Sequence, residues 1–301
     1  MAGQQSNLPP VTADAVGLEG LRRGLGRDGT PIPTYQTLAI EVRSAAAGRA
    51  VVRMPVSEHL TAPGGGLLPG AYAVLAHACC SCAIATALPA GGAALTAQLR
   101  VEFIHSLPPG HAWIEGRAEA DAVDDDSGLA RAEIVDEAGQ LLGVASMRIM
   151  KAPHQGRRHT ATAAQVPRPR QPVRTPIARL LGVASRLVDS GQSTWMFRPP
   201  AGAANSYGMV HDGVLGLLAH EVASDALRSV ADPGAELIPL DLVLNYYRGV
   251  PTSDGLAAAT ARVAHHGRRF VVAEGEVTGP DGRTALRLWV GTQVRAAPAG
   301  Q

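Results

Sequence analysis

The sequence predicts an α+β fold built twice: two antiparallel sheets, each wrapped round a long central helix. Three observations carry this. A glycine-bearing loop running into an apolar segment occurs at Gly65–His77 and again at Gly208–His220, both copies ending Leu-Ala-His, 143 residues apart without a gap. The same offset continues downstream, placing Val101–Ile104 on Leu244–Tyr247, Pro108 on Pro251 and Gly139 on Gly282. In the first copy two short strands precede one long apolar helix and a run of strands follows it, and the second copy repeats the plan with a lead-in helix and one strand before its central helix. A repeat of this size is a duplicated domain rather than a solenoid unit.

The first copy begins after a polar stretch, Met1 to Pro10. Leu18, Leu21 and Leu25 have helical spacing, which predicts a short helix over Val16–Leu25. Leu38–Val42 and Ala50–Met54 read as strands joined by the small-residue turn Ala45–Gly48. The loop Pro63–Gly66 leads to a helix from Pro69 to about Leu88, where Pro89 and Gly91-Gly92 stop it. That helix is apolar nearly all round, so it is buried on most sides. Strands follow at Leu95–Ile104, Ala112–Ala122, Leu129–Val135 and Leu141–Ile149, separated by turn signals such as Pro108-Pro109-Gly110 and Glu137-Ala138-Gly139.

Residues 152–174 are rich in Pro and Arg and read as an extended linker between a first domain at 11–151 and a second at 175–295. The second copy starts with a lead-in helix at Ile177–Leu187 and a strand at Ser193–Phe197. Its central helix runs from His211 to about Val230. Strands at Leu237–Tyr247, Leu256–Ala264, Arg269–Val277 and Thr284–Val294 complete it, the last pair joined by the Pro280-Asp281-Gly282 turn.

Bulk properties remove several functions. With 27 Lys and Arg against 26 Asp and Glu, no global field recruits nucleic acid or an anionic membrane. No apolar run reaches the roughly 20 residues of a membrane span, and the N-terminus lacks the apolar core of a signal peptide, so a soluble cytoplasmic protein is expected. Cys79, Cys80 and Cys82 are odd in number and lie in one predicted helix, a pattern that suits neither a disulfide framework nor a zinc site. They read as small packing residues or as a thiol beside the site. No motif calls for a metal, a nucleotide-binding loop or a redox cofactor.

Asn205-x-x-Gly208-x-x-His211-x-Gly213, followed by Leu218-x-His220, resembles the Asn-x-x-Gly-x-x-His-Gly-Gly…Leu-x-Asp pattern of hotdog-fold acyl-CoA thioesterases of the PaaI-like type. The resemblance covers nearly the whole chain, once per copy, and so implies a double hotdog. It implies acyl-thioester hydrolysis between paired hotdogs, with an acyl-CoA or an acyl-carrier-protein thioester as partner and possible further association into a homo-oligomer. In that family the loop and helix N-terminus of one hotdog hold the thioester carbonyl, and a carboxylate from the other helix acts on water. Free N–H groups at a helix start suit a developing oxyanion.

The motif departs from the family at the reacting positions. The acidic position is His77 in one copy and His220 in the other. A histidine there is either a general base or a residue filling space. Glu221 adjoins His220 but its helical direction differs by about 100°. Asp212 replaces the middle glycine, and the first loop has Ala62, Gly65, Leu68 and Gly70 where the second has Asn205, Gly208, His211 and Gly213. The resemblance therefore implies one site from Asn205, His211 and the Gly213 amide with His77, the Asp212 and Gly208 loop lying against substrate. A poorer site would combine Gly65 and Gly70 with His220 and Glu221. Arg248 and the basic hairpin His265–Arg269 are candidate phosphate ligands or solvated surface. A dehydratase, isomerase or cyclase using a histidine with Asp212 or Glu221, and a non-catalytic acyl binder, are the alternatives; the dehydratase motif His-x-x-x-Gly-x-x-x-x-Pro is absent.

Overall fold

The structure, a computed structural model, describes residue 21 and residues 31–62, 64–88, 93–152, 176–252 and 255–296. The first copy comprises α1 (Pro33–Thr37), β1 (Glu41–Ala46), β2 (Arg49–Pro55), the central helix α2 (Ala71–Ala87), β3 (Ala93–Phe103), β4 (Trp113–Val123), β5 (Ser127–Val135) and β6 (Leu141–Ala152). The second repeats it with α3 (Pro176–Leu181), β7 (Val183–Asp189), β8 (Gln192–Phe197), the central helix α4 (Asp212–Arg228), β9 (Glu236–Tyr246), β10 (Ala257–His266), β11 (Phe270–Thr278) and β12 (Thr284–Arg295).

Backbone detail repeats at the same offset as the sequence. Gly48 and Gly191 both have φ +80°, and their N–H groups are capped by Thr86 Oγ1 at 2.9 Å and Ser229 Oγ at 2.8 Å. Each glycine loop is closed by one bridge, Thr61 to Leu67 and Ala204 to Val210. Register breaks skip Ala97 in β3 and Leu240 in β9. Each copy buries its central helix against its own strands, as an apolar helix requires; on α2, every residue from Ala71 to Cys80 is buried.

The expectation of two sheets is corrected. All twelve strands form one sheet, ordered β1-β2-β4-β5-β6-β3-β9-β12-β11-β10-β8-β7. The seam is β3 with β9, paired antiparallel from Gln98–Asn245 to Glu102–Asp241. Each half would otherwise leave a row of unpaired N–H and C=O groups at that edge; joining the halves satisfies them. Gln98 Nε2 also donates to Asn245 Oδ1 across the seam at 3.1 Å.

Two other elements differ from expectation. The strand expected over Leu38–Val42 begins only at Glu41, because Pro33 starts the short helix α1 and Ala39 turns the chain with φ +51°. The lead-in helix expected over Ile177–Leu187 stops at Leu181. Gly182 then takes φ +64°, packed so closely on the Arg198 carbonyl that a Cβ has no room, and the chain leaves as edge strand β7. The helix expected over Val16–Leu25 lies outside the described residues apart from Leu21, and the linker does so apart from Ala152, which ends β6.

Candidate functional site between the central helices

The two central helices lie antiparallel and touch. A Cβ on Gly213, in the first turn of α4, would stand 2.7 Å from Val74 Cα, 2.9 Å from the Ala73 carbonyl oxygen and 3.1 Å from His77 Cβ. Gly70, at the start of α2, meets Leu217 and His220 in the same way. Each helix start therefore abuts the histidine that ends the repeated motif on the other helix. The sequence could list these residues, but the pairing decides which meet.

At the first interface His77 of α2 meets the start of α4. Its Nε2 is 3.4 Å from Asp212 Oδ2 and 3.0 Å from Thr96 Oγ1. The His77 and His211 rings stand edge to face with centroids 4.5 Å apart. His211 occupies the N-cap position of α4 yet makes no side-chain capping bond; its Nδ1 and that of His77 are buried without a partner. Burial, reinforced by the neighbouring His77, holds the His211 imidazolium well below its ordinary 6.5, so the ring is neutral near pH 7. Asp212, in the first helical turn, also gains from the positive end of the helix dipole.

The loop before α4 is held by its own asparagine. Asn205 Oδ1 accepts from the N–H groups of Tyr207 at 2.9 Å and Met209 at 3.1 Å, and Gly208 adopts φ +75° between them. The His211 N–H donates to the Ala203 carbonyl at 2.8 Å, and Tyr246 Oη donates to the Asp212 carbonyl at 2.8 Å. Val214 and Leu215 both donate to the His211 carbonyl, and the Asp212 and Gly213 amides, in the first helical turn, have no carbonyl one turn back within the helix to bond. The loop is also braced by the other repeat: Thr34 of α1 donates its N–H and its hydroxyl to the Ala204 carbonyl, each at 3.0 Å.

The second interface is built differently. His220 turns to its own helix, with Nδ1 3.3 Å from Glu221 Oε1 and 3.4 Å from Ser224 Oγ, all buried. The adjacent side chains thus bend together despite their divergent helical directions. Leu68 and Pro69 stand where the first site has His211 and Asp212, and Pro239 stands where it has Thr96. The Phe103 ring covers His220 at 5.7 Å and Tyr72 covers Phe103 at 5.6 Å.

The structure thus brings His77, His211, Asp212 and Gly213 together, with Asn205 and Gly208 shaping the loop behind them. His220, Glu221 and Gly70 share the opposite interface. Arg248 is exposed just beyond the end of β9. Sequence reasoning missed two neighbours. Thr96 reaches His77 from the residue preceding the β3 register break, which spacing alone does not reveal. Tyr35, whose ring lies 5.9 Å from His211, could have been found by extending the repeat into the lead-in helices, where it falls opposite Ala178. The three cysteines are free and buried. Among the described residues no group of His, Cys, Asp and Glu has the geometry to hold a metal ion, and no helix is long and apolar enough to cross a membrane.

Similar architectures are known. An acyl-CoA thioesterase II, TesB2, from Mycobacterium marinum superposes with TM-score 0.62 at 13% identity, covering 89% of this chain and 100% of its own. A conserved protein of unknown function with a hot dog fold from Alicyclobacillus acidocaldarius gives 0.61 at 14%, covering 88% and 98%. A putative thioesterase from Novosphingobium aromaticivorans gives 0.60 at 14%, covering 82% and 96%. At such identities these likenesses establish the fold. No curated protein matches the sequence significantly. The Thioesterase superfamily model matches residues 64–142 and 207–286, once in each repeat and together more than half of the sequence. On that match, the chain belongs to the thioesterase superfamily.

Proposed function

We propose that the chain hydrolyses an acyl thioester at the interface where His77 of the first repeat meets Asp212 of the second. The observation that carries this reading is that contact: the carboxylate missing at position 77 is supplied by Asp212 at the start of the opposing helix. The thioester carbonyl accepts from the Gly213 amide, with the neutral His211 ring alongside. A water oxygen attacks the carbonyl carbon and its proton passes to the His77–Asp212 pair. His77 Nε2 is already engaged by Thr96 and Asp212, and its Nδ1 is enclosed. The group that water reaches is therefore Asp212, whose side chain is 20% exposed against 10% for His77. The oxyanion then re-forms the carbonyl, the C–S bond breaks with its electron pair on sulfur, and the pair returns the proton to the thiolate. A free acid and a thiol result.

The test is release of free thiol from a panel of short, long and aromatic acyl-CoAs and an acyl-carrier protein. Asp212→Asn and His77→Ala should each lower kcat/KM by about 10²–10⁴-fold, the span of general acid–base catalysis. No turnover with any member would overturn the reading. A histidine–carboxylate pair also suits proton transfer at a β-hydroxyacyl or enoyl thioester. Water addition to an enoyl-CoA without thiol release would put that reaction in place of hydrolysis.

A further inference from the structure

The twelve-stranded sheet ends on β1 at one edge and β7 at the other, and the two edges are finished differently. On β1, Arg43 Nη1 lies 3.1 Å from Glu41 Oε2 with both side chains more than half exposed. Exposed charges of this kind keep an edge strand from pairing with other chains. At the repeat offset β7 has Ala184 for Glu41, Arg186 for Arg43 and Leu187 for Ser44. Arg186 does not guard its edge. It pairs with Trp195 and turns to α4, where its Nε donates to Asp225 Oδ2 at 2.6 Å. Leu187 pairs with Thr194 and so stands on the other face of the sheet, 69% exposed, next to Val188 at 37%. Among the described residues no strand pairs with the outer edge of β7, so its N–H and C=O groups there are on offer.

The seam between the repeats shows how this chain joins such edges. Arg100 stands opposite Val243, its own counterpart at the 143-residue offset, so equivalent strands meet antiparallel about a local two-fold. β7 suits the same pairing with itself. Its register with β8 breaks at Ala184, and the regular part, Ser185–Asp189, has Leu187 at its middle. A two-fold there sets Leu187 on Leu187 and each Ser185 hydroxyl opposite the partner's Asp189. Centring on Arg186 would oppose two guanidinium groups, and centring on Val188 would set Leu187 against a carboxylate. We propose that a second copy of this chain docks edge to edge on β7, about a two-fold at Leu187, so that two twelve-stranded sheets become one. A strand closing on itself in this way makes a finite dimer. The proposal stands independently of the hydrolytic reading.

Sedimentation equilibrium of the full chain should show a monomer–dimer equilibrium. Leu187→Lys forfeits the leucine burial on both sides and opposes two ammonium groups, so it should raise the dimer dissociation constant at least about a hundredfold. Leu187 is largely exposed in the single chain, so the variant should keep the native circular dichroism. Leu187→Cys tests the register, because directly opposed antiparallel residues have Cα atoms about 4.5–5.5 Å apart, within disulfide reach. Mild oxidation should convert it to a covalent dimer, while Ser44→Cys at the other edge stays monomeric on a non-reducing gel. A native chain that remains monomeric throughout, a dimer that Leu187→Lys leaves intact, or two cysteine variants that cross-link equally overturns the proposal. Growth into open-ended assemblies would mean that β7 pairs with β1 of the next copy, and overturns it as well.

Discussion

Gly213→Ala tests the helix contact most sharply. In an exposed helix this change would stabilise by about 1 kcal/mol through propensity. Here the new Cβ stands 2.7 Å from Val74 Cα, about 0.7 Å inside the 3.4 Å at which ordinary contact begins, and 2.9 Å from the Ala73 carbonyl oxygen. Both obstacles are backbone, so no side chain can swing away and the helices must part. Overpacking of this kind costs about 1–3 kcal/mol, more than the propensity gain. The same shift carries His77 away from Asp212 and His211, and a displacement approaching 1 Å in such a site costs on the order of 10²-fold in rate. Gly70→Ala is the matched control, because its Cβ would stand 3.1 Å from Leu217 Cα and His220 Cβ at the other interface. Urea denaturation should show both variants destabilised, and thioesterase assays should show the large loss only in Gly213→Ala. Equal activity losses, or a Gly213→Ala chain as stable and active as the native one, would refute the reasoning.

Two further outcomes follow from the same geometry. Asn205→Ala removes two hydrogen bonds that hold the loop, worth about 0.5–1.5 kcal/mol each, so it should lower stability by roughly 1–3 kcal/mol and speed hydrogen exchange at the Tyr207 and Met209 amides. His211 has its folded pKa below the unfolded 6.5, so the unfolded chain binds the extra proton. Its contribution is fully present above that value and is lost as pH falls from about 6.5 towards the folded pKa. Melting temperature should therefore drop across that acidic window, and His211→Asn should flatten the drop there; an identical profile in the variant would remove the buried neutral imidazole from the account.

Much of this architecture was legible in the residues. The central helices were plain because Ala71–Cys80 is apolar nearly all round and Val214–Ala219 is wholly apolar, and the later strands because turn signals rich in Pro and Gly separate them. The lead-in segments were not. A five-residue helix such as α1 carries too few turns to show a period, and Gly182 ends α3 through contact with the Arg198 carbonyl, a neighbour distant in sequence. At the site, His77, His211, Asp212 and Gly213 were each singled out by their place in the repeated motif. Thr96 was not, because a register break turns it towards His77 and such a break leaves no period in the sequence.

The sequence by itself determined that the chain is a duplication, where each central helix begins, and that both copies carry histidine at the acidic position. Those facts are local or periodic, and neighbouring residues suffice to express them. Only the tertiary structure decided that the twelve strands join into one sheet, that Asp212 and not Glu221 meets His77, and that His220 is tied to its own helix. The reason is that two glycines let antiparallel helices touch, and contact across some 140 residues of chain depends on how surfaces fit rather than on spacing along the backbone.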